Sequence, residues 1–316
     1  MRRSTLVFAL LPCVVAVQVE VSSTGMAAAD AGMHISELVN QTNVPIGTRH
    51  GMDEPHLLDM IQGAQQSLYE TGVASFPGFL TADALELTAA EAESASPASF
   101  VTDNEHNAWQ LPYNASLPKA HLHNLFMRTR VASVAFDQIG PTLRALYESD
   151  ALLDFISAVT QRTLYRLADP LGACSINVFR DGWEHAWHFD ESEYTVTLSL
   201  QQAEEGGAFL FTPPIRRSRG TPALESVASV LRAQTEFAFD IPAAPPKGSA
   251  ALPEIAVRTA PFRPGTLQVF AGRYSLHAVT RTSGPRERLV AVLCFATEPN
   301  VRNSASVQKM FWGRSA

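Results

Sequence analysis

The chain has 316 residues, 46% of them hydrophobic and 17% charged, which is enough to bury a core and excludes a chain disordered throughout. Its net charge of -7 leaves no broad basic surface, so nucleic acid is not an expected partner. The three cysteines, Cys13, Cys174 and Cys294, are odd in number and widely spaced, which excludes a disulfide framework and a zinc ribbon.

The first 30 residues carry Arg2 and Arg3, an apolar run from Leu6 to Val17, then small residues. That is the shape of a secretory signal or cleaved leader, and the run is too short for a stable membrane span. A second reading is an upstream start, with the protein opening near Met26 or Met33. The first reading implies a secreted or organellar protein and the second a cytoplasmic one.

Residues 31–165 read as helical. Asp53 is placed to cap DEPHLLDMIQGAQQSLYETG, which Gly72 stops. VASFPGF is strand-like, and Thr81 is the expected N-cap of the next helix. The stretch 131–163 is again helical in period, with Pro141 placed to start a new helix. From Cys174 the period changes from 3.6 to 2. CSINVF, YTVTLSLQ, AFLFTP, TLQVF, LHAVT and RLVAVLCF are six strand candidates. Cys174 and Cys294 lie within such runs and read as small buried hydrophobes. Turn signals such as Asp181-Gly182, Gly206-Gly207 and Pro264-Gly265 separate them. The interruption at 213–261 holds a helix-like ALESVASVLRAQ and a surface loop, IPAAPPKGSAALP. Arg216, Arg217 and Arg219 there read as a solvated loop. The expectation is an α+β fold: a helical N-terminal half packed against a jelly-roll core at 166–300, with a tail at 301–316.

His188 and Asp190 stand two residues apart at the head of a strand-like run, so both side chains can share one face. Two histidines and one carboxylate on one side of a metal suit Fe(II) and leave positions open. His277, in SLHAVT, can supply the second imidazole. Arg288 follows eleven residues later, at the start of the next strand, where a guanidinium could hold a carboxylate through paired charge-assisted bonds. His121 and His123 have no third ligand beside them, and His34, His50, His56 and His106 read as ordinary polar positions.

In this order, His-x-Asp, a distant His, then Arg, the chain resembles the Fe(II)/2-oxoglutarate-dependent oxygenases, whose core is a double-stranded β-helix. More narrowly, WHFDESEYTVTLSLQQAEEGGAFLFTP and GTLQVFAGRYSLHAVTRTSGPRERLVAVL are similar to the branch acting on free amino acids, which includes hydroxylases and halogenases. The resemblance covers about Ala173 to Pro299. It implies His188, Asp190 and His277 as iron ligands, and Arg288 as the clamp on 2-oxoglutarate. Arg286 is the rival for that role. Arg288 is preferred because it shares strand parity with Val290, Val292 and Cys294, a choice that a bulge would reverse. Asn177 is a second candidate for the co-substrate. His185, Glu191 and Trp312 are candidates for the substrate, Trp312 as an aromatic lid; exposed polar positions and a packing tryptophan are the plain alternatives.

The resemblance further implies Fe(II), 2-oxoglutarate and O2 as cofactor and co-substrates, with release of succinate and CO2. In the halogenases a small residue replaces the carboxylate ligand and leaves room for chloride. Asp190 fills that position, so hydroxylation of an amino acid or similar small polar molecule is expected over halogenation. Desaturation, cyclisation or epimerisation with the same cofactors is one alternative. A non-redox jelly-roll module binding metal or sugar is another. Nothing in the sequence speaks to oligomeric state.

Overall fold

The structure, a computed structural model, describes residues 33–47, 55–218, 220–233 and 254–316. The leader, Asp53, His50, Arg219 and the loop at 241–253 fall outside the described residues. The helices are α1 (Ile35–Leu38), α2 (Pro55–Thr71), α3 (Ala82–Ala95), α4 (Pro141–Glu148), α5 (Asp150–Thr160), α6 (Leu224–Ala233) and α7 (Ala305–Trp312). None of them is long and apolar enough to cross a membrane.

Local chemistry sets their ends. Gly72, at φ +88°, adopts the left-handed conformation just beyond α2. The Thr81 side chain accepts from Ala84 N at 3.2 Å and starts α3. Pro141 opens α4, whose free N–H groups are met by the Glu91 carboxylate, 3.1 Å from Thr142 N.

The strands are β1 (Val73–Phe76), β2 (Phe100–His106), β3 (Met127–Val134), β4 (Tyr165–Arg166), β5 (Cys174–Phe179), β6 (His185–His188), β7 (Tyr194–Gln201), β8 (Glu205–Gly206), β9 (Phe209–Phe211), β10 (Arg258–Thr259), β11 (Leu267–Phe270), β12 (His277–Val279), β13 (Thr282–Ser283) and β14 (Arg288–Ala296). An 8-stranded sheet runs β1-β11-β7-β14-β5-β3-β2, with β4 on β14. A 4-stranded sheet runs β10-β9-β12-β6, and β13 pairs β8. The pairings among these strands are antiparallel, giving the jelly roll that the strand spacing predicts.

Period-2 alternation decides what each face of the large sheet meets. Leu289, Ala291, Leu293 and Phe295 of β14, with Val196 and Leu198 of β7, are fully buried in the main core. There they join Leu57, Leu143, Leu152 and Phe155 from the helices, each burial contributing roughly 2 kcal/mol. The opposite face, with Thr195, Thr197, Val290 and Val292, lines a cavity shared with β6, β9 and β12 of the small sheet.

The N-terminal half is not helical throughout, because β1, β2 and β3 all join the large sheet. The helix expected from residue 131 begins at Pro141; Val131 to Val134 belong to β3, whose burial alternates at its start and is complete at its end, where it lies between β2 and β5. Arg216 is not solvated either. It is 8% exposed, donates to Thr221 O at 3.0 Å and lies 4.5 Å from the Phe189 ring centre. In the 213–261 interruption, α6 forms as expected and buries Val227, Val230 and Leu231 in a second core with Trp187, Phe189 and Leu276.

Candidate metal centre and co-substrate pocket

β6 ends at His188, Asp190 follows in the loop, and His277 opens β12 directly opposite His188. One ligand atom from each of the three lies within 4.8 Å of the others, the one such cluster among the described residues. His188 Nε2 is 3.4 Å and His277 Nε2 3.3 Å from Asp190 Oδ1.

The other ring nitrogens show which way the imidazoles are set. His188 Nδ1 lies 2.8 Å from Ala186 O and His277 Nδ1 2.9 Å from Ser275 O. A carbonyl can only accept, so each Nδ1 carries its proton and donates. Burial, helped by His277 nearby, lowers the pKa of His188 despite Asp190, which keeps its imidazole neutral. Burial would raise the Asp190 carboxyl, but its two histidine neighbours, His277 foremost, hold it well below the usual carboxylate range. A neutral ring with its proton on Nδ1 turns the Nε2 lone pair toward the carboxylate oxygen. Such an arrangement is stable with a cation between the donors, and two imidazoles with one carboxylate suit Fe(II).

Asp190 is itself held from behind. Its Oδ2 accepts from Thr195 Oγ1 at 2.7 Å and its N–H donates to Gly272 O at 3.0 Å.

The triad opens on a cavity of about 130 Å³ between the sheets. Arg288 reaches it from β14 and is 5% exposed. Its guanidinium carbon lies 5.1 Å from the Phe179 ring centre and 5.8 Å from that of Phe262. Among the described residues it has no carboxylate partner, and burial alone lowers its pKa to about 10, so it stays charged at neutral pH. A buried cation facing only aromatic rings fits an anionic ligand brought from outside. Gly207 makes room for it, since a Cβ there would lie 2.6 Å from Arg288 Cδ. Arg286 is exposed, its Nη2 3.5 Å from Ala203 O, and is not among the cavity residues. The register does shift, between Leu289 and Val290, but the extra residue is Leu200 on β7. Parity along β14 is therefore kept, and Arg288, Val290, Val292 and Cys294 all line the cavity.

Asn177 lines the cavity from β5, its Oδ1 accepting from Ser133 Oγ at 3.2 Å. His185 lines it too. In a regular strand residues 185 and 188 would face opposite ways, but a register shift in the β6–β12 pairing puts both rings on one side. They stack at 3.9 Å and 15°. His185 Nε2 is buried without a partner, and burial holds its pKa well below the ordinary value. Glu191 also lines the cavity, and its carboxylate accepts from Ser304 N at 2.8 Å, just before α7.

α7 folds back so that Val307, Phe311 and Trp312 form one cavity wall, with Trp312 Nε1 buried and unpartnered. Asp169 clamps this helix: Asn303 N donates to it at 2.9 Å and Gln308 Nε2 at 3.0 Å, with Leu171 N and Gly172 N on its other oxygen. Burial would raise the Asp169 carboxyl, but these four donors lower it below 3.8. A lowered folded-state pKa gives stability that is present above the unfolded value and lost as pH falls through the folded one. Amide protection factors across 305–312, corrected for the intrinsic exchange rate, are therefore expected to fall selectively below about pH 4. Asp169→Ala should cost about 3 kcal/mol at neutral pH in a denaturant melt, because it leaves buried donors unmet. Equal protection factors at pH 3 and pH 7 would contradict this clamp.

Two cavity neighbours were not legible in the sequence. His106, read as an ordinary polar position, is 2% exposed and packs edge-on against both His185 and His188 at 5.9 Å. Its Nδ1 meets Asn107 O at 3.0 Å and its Nε2 meets Thr129 Oγ1 at 2.7 Å. Gln110 Nε2 donates to Phe189 O at 2.9 Å, which leaves Oε1 buried at the cavity without a donor. His121 and His123 pack on each other at 5.0 Å without a third ligand among the described residues.

The HalD family model, described as halogenase D, matches residues 58–239, more than half of the chain and including His188 and Asp190. No curated protein matches the chain. Among solved structures, the non-heme alpha ketoglutarate dependent epimerase SnoN from nogalamycin biosynthesis is 16% identical, with a TM-score of 0.50 over 76% of this chain and 84% of that one. The alpha ketoglutarate dependent carbocyclase SnoK from the same biosynthesis is 14% identical, with a TM-score of 0.50 over 74% and 83%. AviO1 from Streptomyces viridochromogenes is 14% identical, with a TM-score of 0.50 over 77% and 97%. At these identities the likeness is one of fold, shared with alpha ketoglutarate dependent enzymes, and the stronger relation is that of sequence to the family: the chain belongs to the HalD family.

Proposed function

We propose that this protein is a dioxygenase that hydroxylates an unactivated C–H of an amino acid or similar small polar molecule. The observation carrying this reading is a three-donor cluster, complete with carboxylate, opening on the same cavity as a buried guanidinium that has no anionic partner among the described residues. His188, Asp190 and His277 would hold Fe(II). Arg288 would hold the distal carboxylate of 2-oxoglutarate, with Asn177 beside it and Arg286 outside. When bound, Fe(II) with 2-oxoglutarate and O2 supplies the oxidant for hydrogen-atom abstraction, and the co-substrate leaves as succinate and CO2.

The chain's own residues do the rest. Phe209, Phe270 and Phe311 wall the cavity and keep water from the reacting centre. His185 Nε2, Trp312 Nε1 and Gln110 Oε1 are buried polar atoms without partners, suited to polar groups of a substrate. Glu191, which also lines the cavity, would meet a cationic group of the substrate.

Halogenation is a second reading, favoured by the family match. Against it stands Asp190, a carboxylate where the resemblance implies that a halogenase has a small residue. The test incubates the full chain with Fe(II), ascorbate, 2-oxoglutarate and chloride against a panel of amino acids, reading succinate and product mass. Hydroxylation adds one oxygen, chlorination exchanges hydrogen for chlorine, and desaturation or ring closure removes two hydrogens. His277→Ala and Asp190→Ala should each abolish substrate-stimulated succinate release. Undiminished release in either variant would refute the assignment.

A further inference from the structure

Asp190 and His277 come from two different loops. Asp190 lies between β6 and β7, and His277 ends the connection from β11 to β12. A side-chain network around Arg273 and Glu193 ties these loops together. Arg273, one residue after the glycine that accepts from Asp190 N, sends its guanidinium back across to the other loop. Its Nε donates to Glu191 O at 3.0 Å, and its Nη2 donates to the same oxygen. Its Nη1 pairs with Glu193 Oε1 at 3.0 Å. Glu193 Oε1 also accepts from Tyr274 OH at 3.0 Å, and its Oε2 accepts from Thr297 N at 3.1 Å and from Thr297 Oγ1. The two charged side chains are 14% and 16% exposed, so the pair is largely shielded from solvent screening.

We propose that the Arg273–Glu193 clasp is a positioning element of the metal centre, setting the separation of Asp190 from His277 before any metal binds. The proposal rests on the reading of the triad as a metal site. Arg273 fastens the carbonyl that directly follows Asp190 and the carboxylate three residues beyond it. Tyr274 and Arg273 lie on the four-residue run leading to His277. The clasp therefore spans the two ligand-bearing loops by a route that does not pass through the ligands. It also anchors both loops to the end of β14 through Thr297. The flat fork of Arg273 makes three directed bonds at once, which a lysine ammonium at the end of a flexible stem cannot reproduce.

Groups behind metal ligands typically govern affinity by about 10–100-fold, and that is the effect expected here. The test is anaerobic titration of the full chain with Co(II), read by its visible absorption, with and without 2-oxoglutarate. Arg273→Lys and Glu193→Gln are compared with the wild type, and Arg128→Lys serves as control. Arg128 pairs with Asp103 in an exposed ion pair well outside the triad's contacts. Arg273→Lys should weaken Co(II) binding by about tenfold or more and alter the band shape, while its metal-free melting temperature stays within a few degrees. Glu193→Gln keeps an acceptor for Arg273 and should fall between Arg273→Lys and the wild type. Arg128→Lys should bind as the wild type does. Co(II) affinity and spectrum unchanged in Arg273→Lys would overturn the proposal, as would a loss matched by Arg128→Lys. A wild-type chain that binds no Co(II) overturns the clasp and the metal reading together. A wild type that binds Co(II) and 2-oxoglutarate but never releases succinate refutes the oxygenase reading alone.

Discussion

Replacing Arg288 with methionine should raise the KM for 2-oxoglutarate by about two to three orders of magnitude, with kcat at saturation far less affected. The size follows from removing one member of a desolvated charge pair, a loss of about 2–5 kcal/mol. It also follows from where Arg288 sits. The residue is 5% exposed and its flanking rings are Phe179 and Phe262, so solvent screens its charge little. Arg288→Lys should recover a part of this, since a point charge returns without the two-pronged geometry. Arg286→Met should leave the KM within about twofold, as its side chain is exposed and points away from the cavity residues. Steady-state kinetics in 2-oxoglutarate separate the two arginines directly. An Arg288→Met variant with an unchanged KM, or an Arg286→Met variant carrying the whole defect, would reverse the assignment.

The choice between these arginines shows which parts of the site are legible in a sequence. His188, His277 and Arg288 sit at the ends of short strands, Asp190 follows two residues after His188 in the adjoining loop, and all four line one cavity. The parity argument for Arg288 depended on β14 being regular. It is, because the irregular residue, Leu200, falls on the partner strand. His185 is the opposite case. Its separation of three from His188 predicts opposite faces, and only the register shift against β12 stacks the two rings. β2 and β3 were hidden for a different reason. FVTDNEH is polar and largely exposed, and the apolar end of β3 runs on into a helical period after Ala135. Gln110 and His106 lie beyond any local pattern. Gln110, at φ 55°, is aimed by a hydrogen bond from its side-chain amide to the carbonyl of a residue 79 positions away, and His106 by Thr129 on the neighbouring strand. Arg216 likewise reads as a charged loop until Phe189 and the loop carbonyls enclose it.

The second large effect involves a residue that ligates nothing. Gly272 lies against Asp190 so closely that a Cβ there would be 2.2 Å from Oδ2 and 2.9 Å from Cγ, with Thr195 Oγ1 also at 2.9 Å. The backbone of Gly272 is not in the left-handed region, so alanine is conformationally acceptable, and the lost chain entropy would favour the fold by about 0.4–1 kcal/mol. The clash must therefore be relieved by the carboxylate. Asp190 would swing, release the 2.7 Å bond from Thr195 and carry Oδ1 away from both Nε2 atoms. A displacement of this order at a reacting centre costs about 100-fold, so Gly272→Ala should lose at least that in kcat/KM while its melting temperature holds within a few degrees. The cause can be isolated by a double-mutant cycle in Co(II) affinity. If the alanine acts only by pushing Asp190, Gly272→Ala should add nothing once Asp190 is already alanine, a full departure from additivity. Equal losses in both backgrounds would place the effect elsewhere in the loop. A Gly272→Ala enzyme with turnover within about threefold of wild type would show that the carboxylate has room to retreat without leaving its two histidines.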